Sequence, residues 1–143
     1  MAGYDILTIE DYSSEEQIIH LFGNLVRESI KSSSYFSILL DSNEMLDRFH
    51  DGQGPIQTRP GFLEFLSNLD ILNGKRVALS HSDDTSDVVS NVYLYKMSED
   101  GLEEIDNISD EDIQPGTAAF GKPSKRYLRE KHDFELHTFW DFR

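Results

Sequence analysis

A chain of 143 residues with 38 % apolar content, nine Phe, six Tyr and one Trp can bury a single core without covalent staples, and it carries a formal charge of −14. The absence of cysteine excludes disulfide scaffolds, thiolate zinc sites and cysteine nucleophiles, and it suits a reducing compartment. A field of this sign repels nucleic acid and anionic membrane, so the chemistry points away from both as direct ligands.

The first dozen residues, MAGYDILTIEDY, place acids where a secretory leader would have a basic region and an apolar core, and no run of about 18 apolar residues follows anywhere. The expectation is one compact cytoplasmic domain over residues 1–143. A helix is predicted over about residues 14–31, with Ser13 and Glu16 as a capping box and Ile18, Ile19, Phe22, Leu25, Val26 and Ile30 on one face. YFSILL at 35–40 has the aromatic and aliphatic mix of a buried strand and ends at the turn formers Asp41-Ser42-Asn43. A short helix from Asn43 to His50, capped by Ser42, precedes an exposed loop at 51–59 and a second helix from Pro60 to about Leu69.

Asn73-Gly74 signals a tight turn before the strand KRVALS. NVYLYKM at 91–97, the turn SEDG and a return through LEEI read as a hairpin with an acidic tip. Asp106 to Asp112 is expected as loop or a single helical turn, and PGTAAFGKP as loop. Ser124 is placed to cap a basic helix, SKRYLREKH, within a mildly basic segment at 122–132. The last stretch, FELHTFWDF, alternates like a strand, with Phe134, Leu136, Thr138, Trp140 and Phe142 on one face and Glu135, His137, Phe139 and Asp141 on the other. Early helices followed by antiparallel strand signals predict an α+β two-layer sandwich, a mainly antiparallel sheet packed against N-terminal helices, with its strand order open. A parallel flavodoxin-like arrangement would need crossover helices between the later strands, and none is signalled.

The charge is concentrated. Residues 81–112 hold 11 acids against the single base Lys96, while 113–143 hold 4 acids against 6 bases. Inside the acidic block, HSDDTSD brings His81, Asp83, Asp84 and Asp87 to the end of an expected strand, and these are ligand types for Mg²⁺, Mn²⁺ or Fe²⁺. The spacing fits neither an EF-hand nor another established metal loop, and the same residues are ordinary in a solvated turn. No GxSxG, SxxK, HxxxH or HExxH pattern is present, and the two Gly-Lys pairs lack the frame of a phosphate loop. His137, sharing a predicted face with Glu135 and Asp141, reads as a surface or satisfied histidine, and on a solvent face a carboxylate would hold it toward a partner.

These observations lead to an expectation of a binding protein with no catalytic residues and no cofactor. The sharpest form is an acidic inhibitor of the immunity or antitoxin type, which neutralises a basic enzyme such as a nuclease by covering its cationic active site. Asp83, Asp84, Asp87, Glu99, Asp100, Glu103, Glu104 and Asp106 are the expected contact acids, with Tyr93 and Tyr95 as aromatic anchors. The alternatives are a nucleic-acid mimic that occupies a DNA-binding defence protein, and a small metal-dependent enzyme using His81, Asp83, Asp84 and Asp87.

Overall fold

The computed structural model of the chain describes residues 3–10, 15–32, 34–49, 60–83, 89–108 and 123–142. Strands β1 (Gly3–Glu10), β2 (Val26–Ser32), β3 (Tyr35–Leu40), β4 (Arg76–Asp83), β5 (Val89–Ser98) and β6 (Gly101–Ile108) form one antiparallel sheet in the order β2-β3-β1-β4-β5-β6. Helices α1 (Glu15–Phe22), α2 (Ser42–Arg48), α3 (Pro60–Ser67) and α4 (Pro123–His132) complete the expected α+β sandwich. None of the helices among the described residues is long and apolar enough to cross a membrane.

The N-terminal stretch GYDILTIE, unassigned by periodicity, is a central strand. β1 lies between β3 and β4, and Ile6, Leu7, Thr8 and Ile9 are all fully buried. A strand covered on both faces reads as a continuous run rather than an alternation, and ILTI is short enough for that signal to be missed.

The first helix ends earlier than its periodicity predicts. It stops at Phe22, a 3-10 turn covers Gly23–Leu25, and β2 occupies what helical spacing would extend to residue 31. Gly23 adopts φ 55, the left-handed conformation that terminates helices at low cost only for glycine. Ser13 lies outside the described residues, as does the loop at 51–59. Asp41, rather than Ser42, caps α2, its Oδ1 accepting the Glu44 amide at 3.0 Å.

Leu7, Ile9, Ile38, Val77 and Leu79 project from one sheet face into a core closed by Ile18, Phe22, Met45, Phe62 and Leu66 of α1–α3. The opposite face carries a smaller cluster in which Ala78, Val92, Leu94 and Ile108 meet Leu128 of α4 and Phe134 and Leu136 beyond it. This is where the alternating C-terminal stretch resides. Residues 133–138 are not a strand, and Phe139–Phe142 is a 3-10 turn. The segment reverses at Asp133, with φ 50, and runs back across the sheet. Its apolar side packs onto a face rather than pairing with an edge, so Phe134, Leu136 and Thr138 are buried without a ladder.

Arg76 fixes the start of that return. Its backbone N–H and Nε donate to the two Glu10 carboxylate oxygens, both at 2.9 Å. The rest of the guanidinium reaches the carbonyls of His132 and Asp133 and lies 5.3 Å from the Phe134 ring centre. Burial raises the Glu10 pKa, but the Arg76 hydrogen bonds and charge outweigh it and hold the carboxyl below its ordinary value.

Candidate functional site

The acidic tip is a β-hairpin. Ser98 faces Gly101 across the turn Glu99-Asp100, and Gly101 takes φ 106, which excludes a side chain at that position at low cost. The Ser98 hydroxyl accepts the Asp100 amide at 3.3 Å and donates to the Gly101 carbonyl at 3.3 Å, tightening the turn.

β6 forms one outer edge of the sheet, and the register assigns its side chains. Leu102 lies opposite Met97 and Glu104 opposite Tyr95 on the helix side, whereas Glu103 lies opposite Lys96 on the other side. A bulge between Leu94 and Tyr95 leaves Ile105 as the extra residue, 42 % exposed. Glu99, Asp100, Glu103 and Glu104 are all exposed. Among the described residues, Glu99, Asp100 and Glu103 make no ion pair, and Glu104 accepts a bond from the Asn107 side chain at 3.0 Å. The hairpin therefore presents a short acidic edge with an apolar residue at its bulge.

Asp106 is differently engaged. Its Oδ2 accepts Tyr127 Oη at 2.7 Å and His132 Nε2 at 2.9 Å, and Lys131 Nζ stands 3.4 Å away, so the basic helix α4 is tied to the acidic strand within the same molecule. Burial raises the Asp106 pKa, but the bonds from His132, Tyr127, the Asn107 amide and Lys131 together overcome it and hold the carboxyl far below the carboxylate range. That carboxylate is engaged within the fold by α4.

The two proposed tyrosine anchors face inward. Tyr95 is 5 % exposed in the helix-side core, and Tyr93 packs half-buried against the same cluster. Burial, then the charges of Glu104 and Tyr93, push the Tyr95 phenol up to about 12. The period of a strand puts both rings on one side, and here that side is the one covered by α3, so Tyr95 is removed from any contact surface.

The other end of the acidic block is partly beyond description. Asp84 and Asp87 lie outside the described residues, as do Asp110, Glu111 and Asp112, and only the backbone of Asp83 is described, at the end of β4. His81 sits across from Asp5 of β1, with Nδ1 3.1 Å from Oδ1. Among the described residues no three His, Asp or Glu side chains are grouped to hold a metal ion.

One polar cluster had no signal in the sequence. His137, which the sequence leaves as either a surface or a satisfied histidine, is 8 % exposed and turned into the sheet. Its Nδ1 lies 2.6 Å from Ser37 Oγ and its Nε2 2.9 Å from Ser32 Oγ, while Ser37 in turn lies 2.8 Å from Thr8 Oγ1. The two partners of His137 come from β2 and β3, 105 and 100 positions earlier in the chain, and Thr8 of β1 extends the cluster, a proximity that no local pattern encodes.

No protein-family profile, no curated protein and no solved structure matches this chain.

Proposed function

We propose that the protein is an acidic binding protein of the inhibitor type, acting as an immunity protein or antitoxin does, which covers the cationic active site of a basic enzyme, most aptly a nuclease. The supporting observation is the exposed edge of the β5–β6 hairpin, where Glu99, Asp100, Glu103 and Glu104 surround a part-exposed Ile105. In this reading the carboxylates along the strand stand in for nucleic-acid phosphates over a cationic cleft, and their field raises the rate of encounter. The exposed isoleucine adds a small apolar contact rimmed by the acids. Asp83, Asp84 and Asp87 extend the same charge on the sequence, and Asp106 serves it indirectly by fixing α4 to β6.

The test is affinity capture from the source cell, or against the product of any neighbouring gene, at low and then high salt, followed by nuclease assay of any basic protein captured. Replacing Glu99, Asp100, Glu103 and Glu104 by Gln or Asn should weaken association by about 10- to 100-fold at low salt and flatten its salt dependence. Unchanged affinity and unchanged salt slope in that fourfold variant would remove the hairpin from the interface.

A further inference from the structure

The buried histidine supplies a device that the acidic edge does not use. Residues 133–142 lie on the sheet face opposite α1–α3, and their two ends are held by different chemistry. At the start, Arg76 binds the carbonyls of His132 and Asp133, the Tyr35 hydroxyl donates to the Asp133 carbonyl at 3.0 Å, and Phe134 is fully buried. None of those contacts titrates near neutrality. Farther along, the segment is fixed by His137 between Ser32 and Ser37, by the Phe139 amide on Ser82 Oγ at 2.8 Å and by Phe139 stacked on Tyr4 at 4.4 Å. The clamp at Asp133 thus holds one end of the segment, and beyond it, where Asp141 Oδ2 also accepts the Thr138 amide at 2.7 Å, the imidazole is the group whose ordinary titration range lies near neutrality.

We propose that residues 135–142 form a proton-operated latch, closed on the sheet while His137 is neutral and released when His137 takes up a proton.

A neutral imidazole satisfies both of its nitrogens here, one donating and one accepting, because each serine hydroxyl can play either part. Protonation makes both nitrogens donors. The hydroxyls of Ser32, Ser37 and Thr8 can rotate to accommodate that, but they bring no negative charge, so a cation is left in a site built for a neutral ring. Charged groups act on His137 from α4 and from its own segment: Lys125 opposes the proton, whereas Asp141 and Glu135 favour it. Burial is the largest influence, and with Lys125 it outweighs the two acids and lowers the His137 pKa below its ordinary value of 6.5. The sign follows. The open segment binds the proton more tightly than the closed one, so the latch keeps its full stability above about pH 6.5 and loses it progressively below, until the folded pKa is reached. Opening uncovers the hydroxyls of Thr8 and Ser37 and swings out Trp140, the chain's single tryptophan, which is already 47 % exposed.

Amide hydrogen exchange between about pH 7 and pH 5 tests this, with protection corrected for intrinsic exchange. Protection at Thr138 and Phe139 should fall by up to about tenfold per pH unit below about 6.5 while that of β1 stays constant, with a red shift of Trp140 emission over the same range. His137→Gln retains hydrogen-bonding capacity but has no proton to gain, and its profile should be flat. A flat profile in the unmodified protein, or the same fall in His137→Gln, overturns the latch. The imidazole titration followed by NMR is decisive even if that variant does not fold: a His137 pKa at or above about 6.5 leaves the latch without a driving force.

Discussion

Asp106 illustrates how one side chain can belong to a charge pattern and yet differ from its neighbours in what it touches. In the sequence it is one of 11 acids in a block of 32 positions, indistinguishable from Glu103 or Glu104. In the fold it is 19 % exposed and collects donors from Tyr127, Lys131 and His132, whereas its neighbours point to solvent. Bonds to an ionised acceptor are stronger than neutral ones, and losing the acceptor leaves partly buried donors unmatched. Asp106→Asn should therefore lower unfolding stability by about 1–3 kcal/mol in urea melts while leaving the exposed edge intact. The pH dependence carries the same signature. Because the folded carboxyl sits below its ordinary value of 3.8, its contribution is complete above about pH 4–5 and is lost as pH falls toward the folded pKa. The variant should lack that share of the acid limb, and an identical acid limb in both proteins would show that Asp106 contributes nothing by linkage.

Between helix and strand, Gly23 makes the decision that periodicity cannot. Leu25, Val26 and Ile30 fit an extended helix, and the same positions are part-buried or buried in a 3-10 turn and β2. A Cβ at Gly23 would meet nothing within 4 Å, so the whole cost of Gly23→Ala is the left-handed backbone, about 1 kcal/mol. A melt of that variant that matched the parent would mean that the turn can re-form with φ below zero. Elements with a strong local signature were legible: YFSILL, Pro60 as a helix start, and the turn after Ser98 all stand where their residue types place them. The C-terminal stretch was legible in its burial but not in its pairing. Alternation survives at Phe134, Glu135 and Leu136 and fails at His137, because two serines on β2 and β3 offer its ring nitrogens hydrogen bonds that solvent-facing carboxylates would otherwise supply. For the candidate site, the acids at the hairpin tip were readable because turn and charge coincide in sequence. The inward direction of Tyr93 and Tyr95 was not, since a strand's period fixes a shared face without saying which side the helices will cover.

At the scale of the molecule, an open sheet has two outer edges, and each is a template on which a second copy of the chain could pair. Both edges carry the same two devices. β2 has a register shift between Val26 and Glu28 with charged Arg27, Glu28 and Lys31 along it, and β6 has its bulge at Ile105 beside Glu103 and Glu104. Bulges twist an edge away from a neighbour, and like charges facing each other across a shared ladder repel. The net charge of −14 adds a long-range term of the same sign, strongest at β6. A second copy approaching β6 would set Glu against Glu, whereas a cationic surface meets the edge without that penalty, so the features that oppose self-association leave the proposed partner class unaffected. Glu103→Thr combined with Glu104→Val removes the charges and raises strand propensity while keeping the hairpin turn. In sedimentation experiments the unmodified protein should remain monomeric up to about millimolar concentration, and the double variant should self-associate by roughly tenfold or more tighter contact, increasing with salt as the remaining repulsion is screened. If the double variant stays monomeric under the same conditions, the edge is guarded by its bulge and not by its carboxylates.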